Sequence, residues 1–217
     1  MKYFRYSMNM KKLNFMCILF FIPLFILICF MGISKYMNFN FFVIYFFWMF
    51  LHELLHGIGF YLSGVSFNSI IYGACLEKGI FYCMCKERID KKGIIISLLF
   101  PFFFIGVFTF FIGLVFENYI LVLLSLFNIV GCVGDLCMFF SFVRLPDFKY
   151  VDLDDCTGFV LISDSDLSNY KLFCMDNVSS GNPDDLVSNN FKKINISKFS
   201  YIFFMVMLIL LIIEFFV

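Results

Sequence analysis

The sequence predicts an all-α integral membrane protein of about five transmembrane helices, with a short cytoplasmic β-hairpin and a small polar cytoplasmic segment. Three observations predict it. Across 217 residues, 62% are hydrophobic and only 15% charged, whereas soluble domains carry about 45–50% apolar and about 25% charged residues. The apolar residues are gathered into five runs of roughly twenty, each long enough to cross a bilayer. Finally, the basic residues fall almost entirely in alternate inter-span segments, as the positive-inside rule requires.

The five runs are residues 13–33, 39–62, 93–116, 119–143 and 199–217. The first follows the basic stretch 1–12 (Lys2, Arg5, Lys11, Lys12). Its apolar part is too long for a signal peptide, with no small-residue cleavage site after it, so it reads as an anchor helix. With a cytoplasmic N-terminus, the segments 1–12, 63–92 and 144–198 all lie inside, and of the basic residues only Lys35 lies outside. The expected location is therefore a cytoplasmic membrane, N-terminus in. The abundance of Phe and of Lys over Arg, with a single Ala (Ala74), reads as an AT-rich genome, and together with the resemblance drawn below it points to a bacterium. The balance of 16 basic and 16 acidic residues leaves no basic surface for nucleic acid.

Between spans two and three, residues 69–76 and 80–86 are β-rich runs around Glu77-Lys78-Gly79, a hairpin pattern. Residues 144–198 are polar, with one strand expected at 159–162. The cluster Asp152, Asp154, Asp155 lacks the glycine and distal glutamate of a calcium loop and reads as a solvated face. The scattered cysteines, Cys83 and Cys85 included, read as reduced thiols. On this reading residues 13–143 form a four-helix core, followed by the polar segment and a C-terminal helix.

The second span contains His52-Glu53-Leu54-Leu55-His56, an H-E-x-x-H pattern built from the only two histidines of the chain. On a helix, residues four apart share a face, so both imidazoles reach one Zn2+ ion. Zinc brings the pKa of water to roughly 7, and Glu53 stands beside the first ligand, where a general base is needed. Random placement would produce this arrangement in roughly two chains per ten thousand of such composition. Ionisable groups inside a span are costly unless paired or metal-bound, so the pattern predicts a metal site.

A catalytic zinc takes three protein ligands and keeps one position open. Asp135 is the only carboxylate besides Glu53 well inside a span, which makes it the expected third ligand. The His motif, Asp135 and Pro101 each fall about eight residues from the cytoplasmic end of their spans, roughly 12 Å deep. Pro101 is expected to kink or open the third span there. Asn128, Gly131 and Asp135 share one helical face, the glycines permitting close helix approach with Gly57 and Gly59 as the matching surface. Asn128 is expected to bind substrate, to orient a metal ligand, or to make an interhelical hydrogen bond. The hairpin beside the site could accept an extended substrate by strand addition.

His52-Glu53-Leu54-Leu55-His56-Gly57, the hairpin, Pro101-Phe102 and the stretch Asn128, Gly131, Gly134-Asp135 together resemble the membrane zincin peptidase family catalogued as domain of unknown function 3267, over roughly residues 40–162. The layout is also similar to site-2-type intramembrane metalloproteases, a resemblance that implies two His, one Asp and a catalytic Glu across two spans. The site-2 pattern has prolines where this chain has glycines, and spaces its Asn and Asp eight apart where this chain has seven. The expected activity is zinc-dependent hydrolysis of a membrane protein or peptide near the cytoplasmic face. The alternative is a non-catalytic membrane protein with a structural or transport metal site or a polar packing cluster.

Overall fold

The computed structural model describes residues 1–75, 80–153 and 158–180. The fifth predicted span, 199–217, and the hairpin turn Glu77-Lys78-Gly79 lie outside these residues. Strand β1 is Lys2–Met8 and helix α1 Met10–Phe30, followed by α2, Phe39–Leu62. The hairpin strands are β2, Ile70–Cys75, and β3, Ile80–Cys85; the short β4 is Ile89–Asp90. Helix α3, Lys91–Pro101, continues through a π-helical segment, Phe102–Phe108, into α4, Thr109–Val115. Then come α5, Tyr119–Gly131, α6, Val133–Val143, and strands β5, Lys149–Asp152, β6, Gly158–Ser163, and β7, Met175–Ser180.

The all-α expectation is overturned. Five strands form one antiparallel sheet in the order β4-β5-β6-β1-β7, and the hairpin adds a second, two-stranded sheet. The expected basic tail, 1–12, begins with β1, which pairs with β6 on one side and β7 on the other. Phe4 and Tyr6 alternate with polar neighbours and are 2% exposed. That is the period-2 signature of a half-buried strand, hidden in the sequence by Lys2 and Arg5. The strand expected at 159–162 is β6, buried along its whole length.

Three helices are long and apolar enough to cross a membrane: Met10–Phe30, Phe39–Leu62 and the continuous run Lys91–Val115. The chain is therefore membrane-associated. The fourth predicted span is broken: α5 and α6 meet at 47° and form one span only if taken as a bent pair. Two low-propensity glycines flank the break, Gly131 and Gly134. Helix α1 buries only Ile28, and Phe15, Ile18 and Leu19 are exposed along its length, the surface lipid would cover.

The hairpin folds back along α2. The ring of Phe81 in β3 lies 5.6 Å from Phe46 and 4.6 Å from Phe50. A Cβ built on Gly57 would meet the Tyr72 hydroxyl at 1.8 Å. At 1.5 Å per residue, the hairpin accompanies about 24 Å of α2 from its end back to Phe46. Strand backbone at that depth is tolerated only against protein or a wet cavity.

Two apolar clusters bracket the middle of the bundle. One joins the sheet to the helices through Phe4, Tyr6, Phe60, Ile94, Phe142 and Phe159. The other holds the opposite end through Ile28, Phe41, Val122 and Leu126.

Candidate metal centre

His52 and His56 project one turn apart from α2, and Asp135 projects from the first turn of α6. The helix break gives that carboxylate a helix N-terminus, where the macrodipole favours negative charge. His52 Nε2 lies 3.1 Å from His56 Nε2, and Asp135 Oδ2 and Oδ1 lie 3.3 Å from His52 Nε2 and 3.4 Å from His56 Nε2. Tetrahedral zinc with bonds of about 2.0–2.1 Å spaces its ligand atoms roughly 3.3 Å apart.

The other ring nitrogens explain why these atoms converge as acceptors. His56 Nδ1 is 2.9 Å from the Ser97 carbonyl oxygen, which can only accept, so Nδ1 carries the proton. His52 Nδ1 is 3.0 Å from Asn128 Oδ1. The amide's orientation follows from its far side, where Nδ2 donates to the Pro101 carbonyl at 3.3 Å. In the Nδ1–H tautomer of a metal ligand, both Nε2 atoms would present lone pairs toward each other and toward the Asp135 carboxylate. Asp135 Oδ2 is buried without a hydrogen-bond partner among the described residues. Two imidazole nitrogens and a carboxylate converging on one point are a donor set that suits Zn2+.

Each support has a local cause. Ser97 reaches His56 because α2 and α3 touch at Gly59, where a Cβ would stand 2.6 Å from Ser97 Cα. Ser97 Oγ also donates to the His56 carbonyl at 2.9 Å, clamping the pair twice. The π-helical segment starts directly after Pro101, and the Pro101 carbonyl meets Asn128 there. Asn128 is 4% exposed, and the contacts the structure gives its side chain are to His52, Pro101 and Cys132. The expected face-to-face packing of glycines is not what forms: Gly57 meets Tyr72, Gly59 meets Ser97, and a Cβ on Gly131 would meet nothing within 4 Å.

A second ligand combination lies close by. His52, Cys132 and Asp135 have donor atoms within 4.8 Å of one another, and Cys132 Sγ is 3.9 Å from His52 Nδ1. Using it would require His52 Nδ1, which already serves Asn128, so the His52, His56 and Asp135 set fits an ion better. The sequence reading did not single out Cys132.

Glu53 lines a cavity of about 250 Å³ that also touches His52, His56 and Asp135. Its carboxylate accepts a hydrogen bond from the Cys83 backbone amide, so the hairpin holds the proposed base. The cavity extends to Tyr150 and Asp152 of β5. Asp152 accepts from the Cys85 amide at 2.8 Å and from the Tyr150 hydroxyl, and burial pushes its carboxyl up to about 6. It belongs to the cavity wall, which corrects its reading as part of a solvated acidic face; Asp154 and Asp155 lie outside the described residues. Burial also raises the Cys83 thiol, and that of Cys85 to about 11, so both stay protonated, as expected of reduced cysteines.

Two imidazoles four residues apart, a carboxylate from a second span and a glutamate beside the first imidazole are the donor chemistry of a zincin-type site. Residues 45–150, just under half of the chain, match the family described as "Putative zincin peptidase", the family the motifs resemble. The matched stretch includes most of α2, the hairpin, α3 to α6 and the start of β5, hence His52, Glu53, His56, Ser97, Asn128, Cys132 and Asp135. No curated protein and no solved structure is significantly similar to the chain.

Proposed function

We propose that this protein is a membrane-embedded zinc metallopeptidase, with His52, His56 and Asp135 as metal ligands and Glu53 as general base. One observation carries the reading: His52 Nε2 and His56 Nε2 stand 3.1 Å apart, with Asp135 Oδ2 3.3 Å from the first and Asp135 Oδ1 3.4 Å from the second, and each Nδ1 bonded elsewhere. A zinc ion there supplies Lewis acidity, polarising a substrate carbonyl and making water acidic enough to lose a proton near neutral pH. Asn128 and the Ser97 carbonyl fix the two imidazoles in the tautomer that points Nε2 inward. Glu53, steadied by the Cys83 amide, takes the proton of the attacking water and passes it to the departing amine nitrogen. The cavity beside Glu53 admits that water.

The substrate is a membrane protein or peptide, cleaved at the cytoplasmic side of the bilayer with the N-terminus of the enzyme inside. Strand addition to β3 has an obstacle: the Cys83 and Cys85 amides are already bonded to Glu53 and Asp152. A pairing strand would displace both carboxylates, one of them the base. The cavity is the better place for the scissile segment.

The test is zinc content of the detergent-purified protein together with cleavage of a fluorogenic peptide library. Stoichiometric zinc in wild type, lost in His52→Ala and Asp135→Ala, is expected. Glu53→Gln should keep zinc and abolish cleavage. Zinc retained in both ligand variants would refute the ligand set, and cleavage by Glu53→Gln would refute the base.

A further inference from the structure

The cavity is lined by two chemically different groups of polar residues. One is the metal centre with Glu53; the other is Asp152 with Tyr150. The lining is otherwise largely apolar and includes Phe60, Ile94, Leu98, Met138 and Phe159. Asp152 is held rigidly, since Oδ2 takes the Cys85 amide at 2.8 Å and Oδ1 the Tyr150 hydroxyl. Tyr150 is 4% exposed and stacked on Phe159 at 5.3 Å. Burial beside Asp152 keeps the phenol protonated, so it can only donate to the carboxylate. Both partners are neutral.

The carboxylates lining the cavity are Glu53, Asp135 and Asp152. Asp135 stands against His52 and His56, whereas the partners the structure gives Asp152 are the Cys85 amide and the Tyr150 hydroxyl. Among the described residues lining the cavity there is no Lys or Arg to balance Asp152. A buried carboxylate without a counter-charge is costly, and this one faces a space large enough for a side chain. A largely apolar cavity with a fixed carboxylate in its wall matches a methylene stem ending in a cation. One lone pair on each oxygen is already used, which suits the point charge of an ammonium better than the bidentate fork of a guanidinium.

We propose that the part of the cavity lined by Asp152 is a subsite for a primary ammonium group of the peptide substrate, with Phe60, Leu98 and Met138 walling its methylene stem. Calling that ligand a substrate rests on the peptidase reading; the ammonium site itself does not. Two sources share this chemistry, a lysine side chain and a free peptide N-terminus.

The experiment is calorimetric binding to full-length Glu53→Gln protein, zinc-loaded and in detergent, where no cleavage intervenes. The probes are three apolar peptides of one sequence: N-acetylated with a central lysine, N-acetylated with norleucine in its place, and norleucine with a free N-terminus. The lysine peptide should bind at least 10-fold tighter than its norleucine counterpart, or the free N-terminus should show that gain if it is the source. Adding Asp152→Asn should bring the ratio close to one. Should that variant fail to fold, Asp152→Glu advances the carboxylate by one methylene, and the preference should shift from lysine to ornithine. Equal affinity for all three peptides, no measurable binding, or a preference that survives Asp152→Asn overturns the proposal. An ammonium preference in a protein that never cleaves would sink the peptidase reading alone.

Discussion

Asn128 illustrates how much one side chain decides here. Its oxygen accepts from His52 and its nitrogen donates to Pro101, so three helical segments agree on one orientation of one imidazole. Partners of this kind typically contribute 10–100-fold to metal affinity. Asn128→Ala should therefore weaken zinc binding by about that factor in a competition titration with a chromogenic chelator, without altering stoichiometry at saturating zinc. Asp152 supplies a second residue-scale prediction. Its carboxyl rises from 3.8 to about 6 in the folded protein. Between those values the native state keeps a proton that the unfolded chain has released. The stabilising contribution is complete below about pH 4 and is lost as pH rises through 6. The groups facing it are Tyr150 on β5, Cys83 and Cys85 on β3, and His56 across the cavity on α2. The loss is bounded at about 3 kcal/mol and is reduced by contact with the cavity. Melting temperatures at pH 5 and pH 7 should show wild type falling more steeply than Asp152→Asn.

At the scale of elements, the closeness of α2 and α3 governs the second imidazole. Gly59 stands 2.6 Å, at its missing Cβ, from the backbone of Ser97, so Gly59→Val must push the helices apart. Overpacking of this kind costs about 1–3 kcal/mol, and the separation removes the Ser97 carbonyl from His56. Lower thermal stability and loss of zinc should appear together in that variant. Gly131 is the contrast, with open space where its Cβ would be. Gly131→Ala should leave the melting temperature unchanged or raise it, since Ala exceeds Gly in helix propensity by up to about 1 kcal/mol. The same elements show how far local pattern carries. Residues 39–62 were legible as a helix to the residue, because apolar length and the N-cap Asn38 act locally. The break between α5 and α6 was not, because a continuous apolar run reads alike whether straight or bent, and the bend depends on what Asn128 and Asp135 meet.

For the whole molecule, the five-stranded sheet is the decisive feature. It gathers β1, β4 and the strands β5 to β7 from three segments separated by membrane helices. Segments sharing one sheet share one side of the bilayer, which requires an even number of crossings between them. That holds if α1 and α2 are two crossings, the run Lys91–Val115 a third and the bent pair a fourth. Reporters placed before Lys2, near Glu87 and near Asp164 should therefore all report the same side, the cytoplasmic one on the proposed orientation. Deleting residues 2–8 should do far more damage than trimming a tail. It strips the strand between β6 and β7 and the buried Phe4 and Tyr6. Loss of two large buried aromatics alone costs several kcal/mol, so the truncated protein should melt much lower or fail to accumulate in membranes.

The sequence by itself determined what is local or counted: membrane association from apolar length, the hairpin strands and β6 from short β-rich runs, and the chemistry-bearing histidines and glutamate from their spacing on one turn. A helix face or strand face is set by neighbours a few residues away, so it can be read from the chain. Tertiary structure alone decided the rest. It put β1 in the middle of a sheet, with Lys2 paired to Ser163 across the whole chain, folded the hairpin back along α2, and turned Asp152 from an apparent surface acid into part of the cavity wall. These depend on pairings between residues tens to more than a hundred positions apart. Such pairings are chosen by the burial and hydrogen bonding of the assembled fold, and leave little trace in any window of adjacent residues.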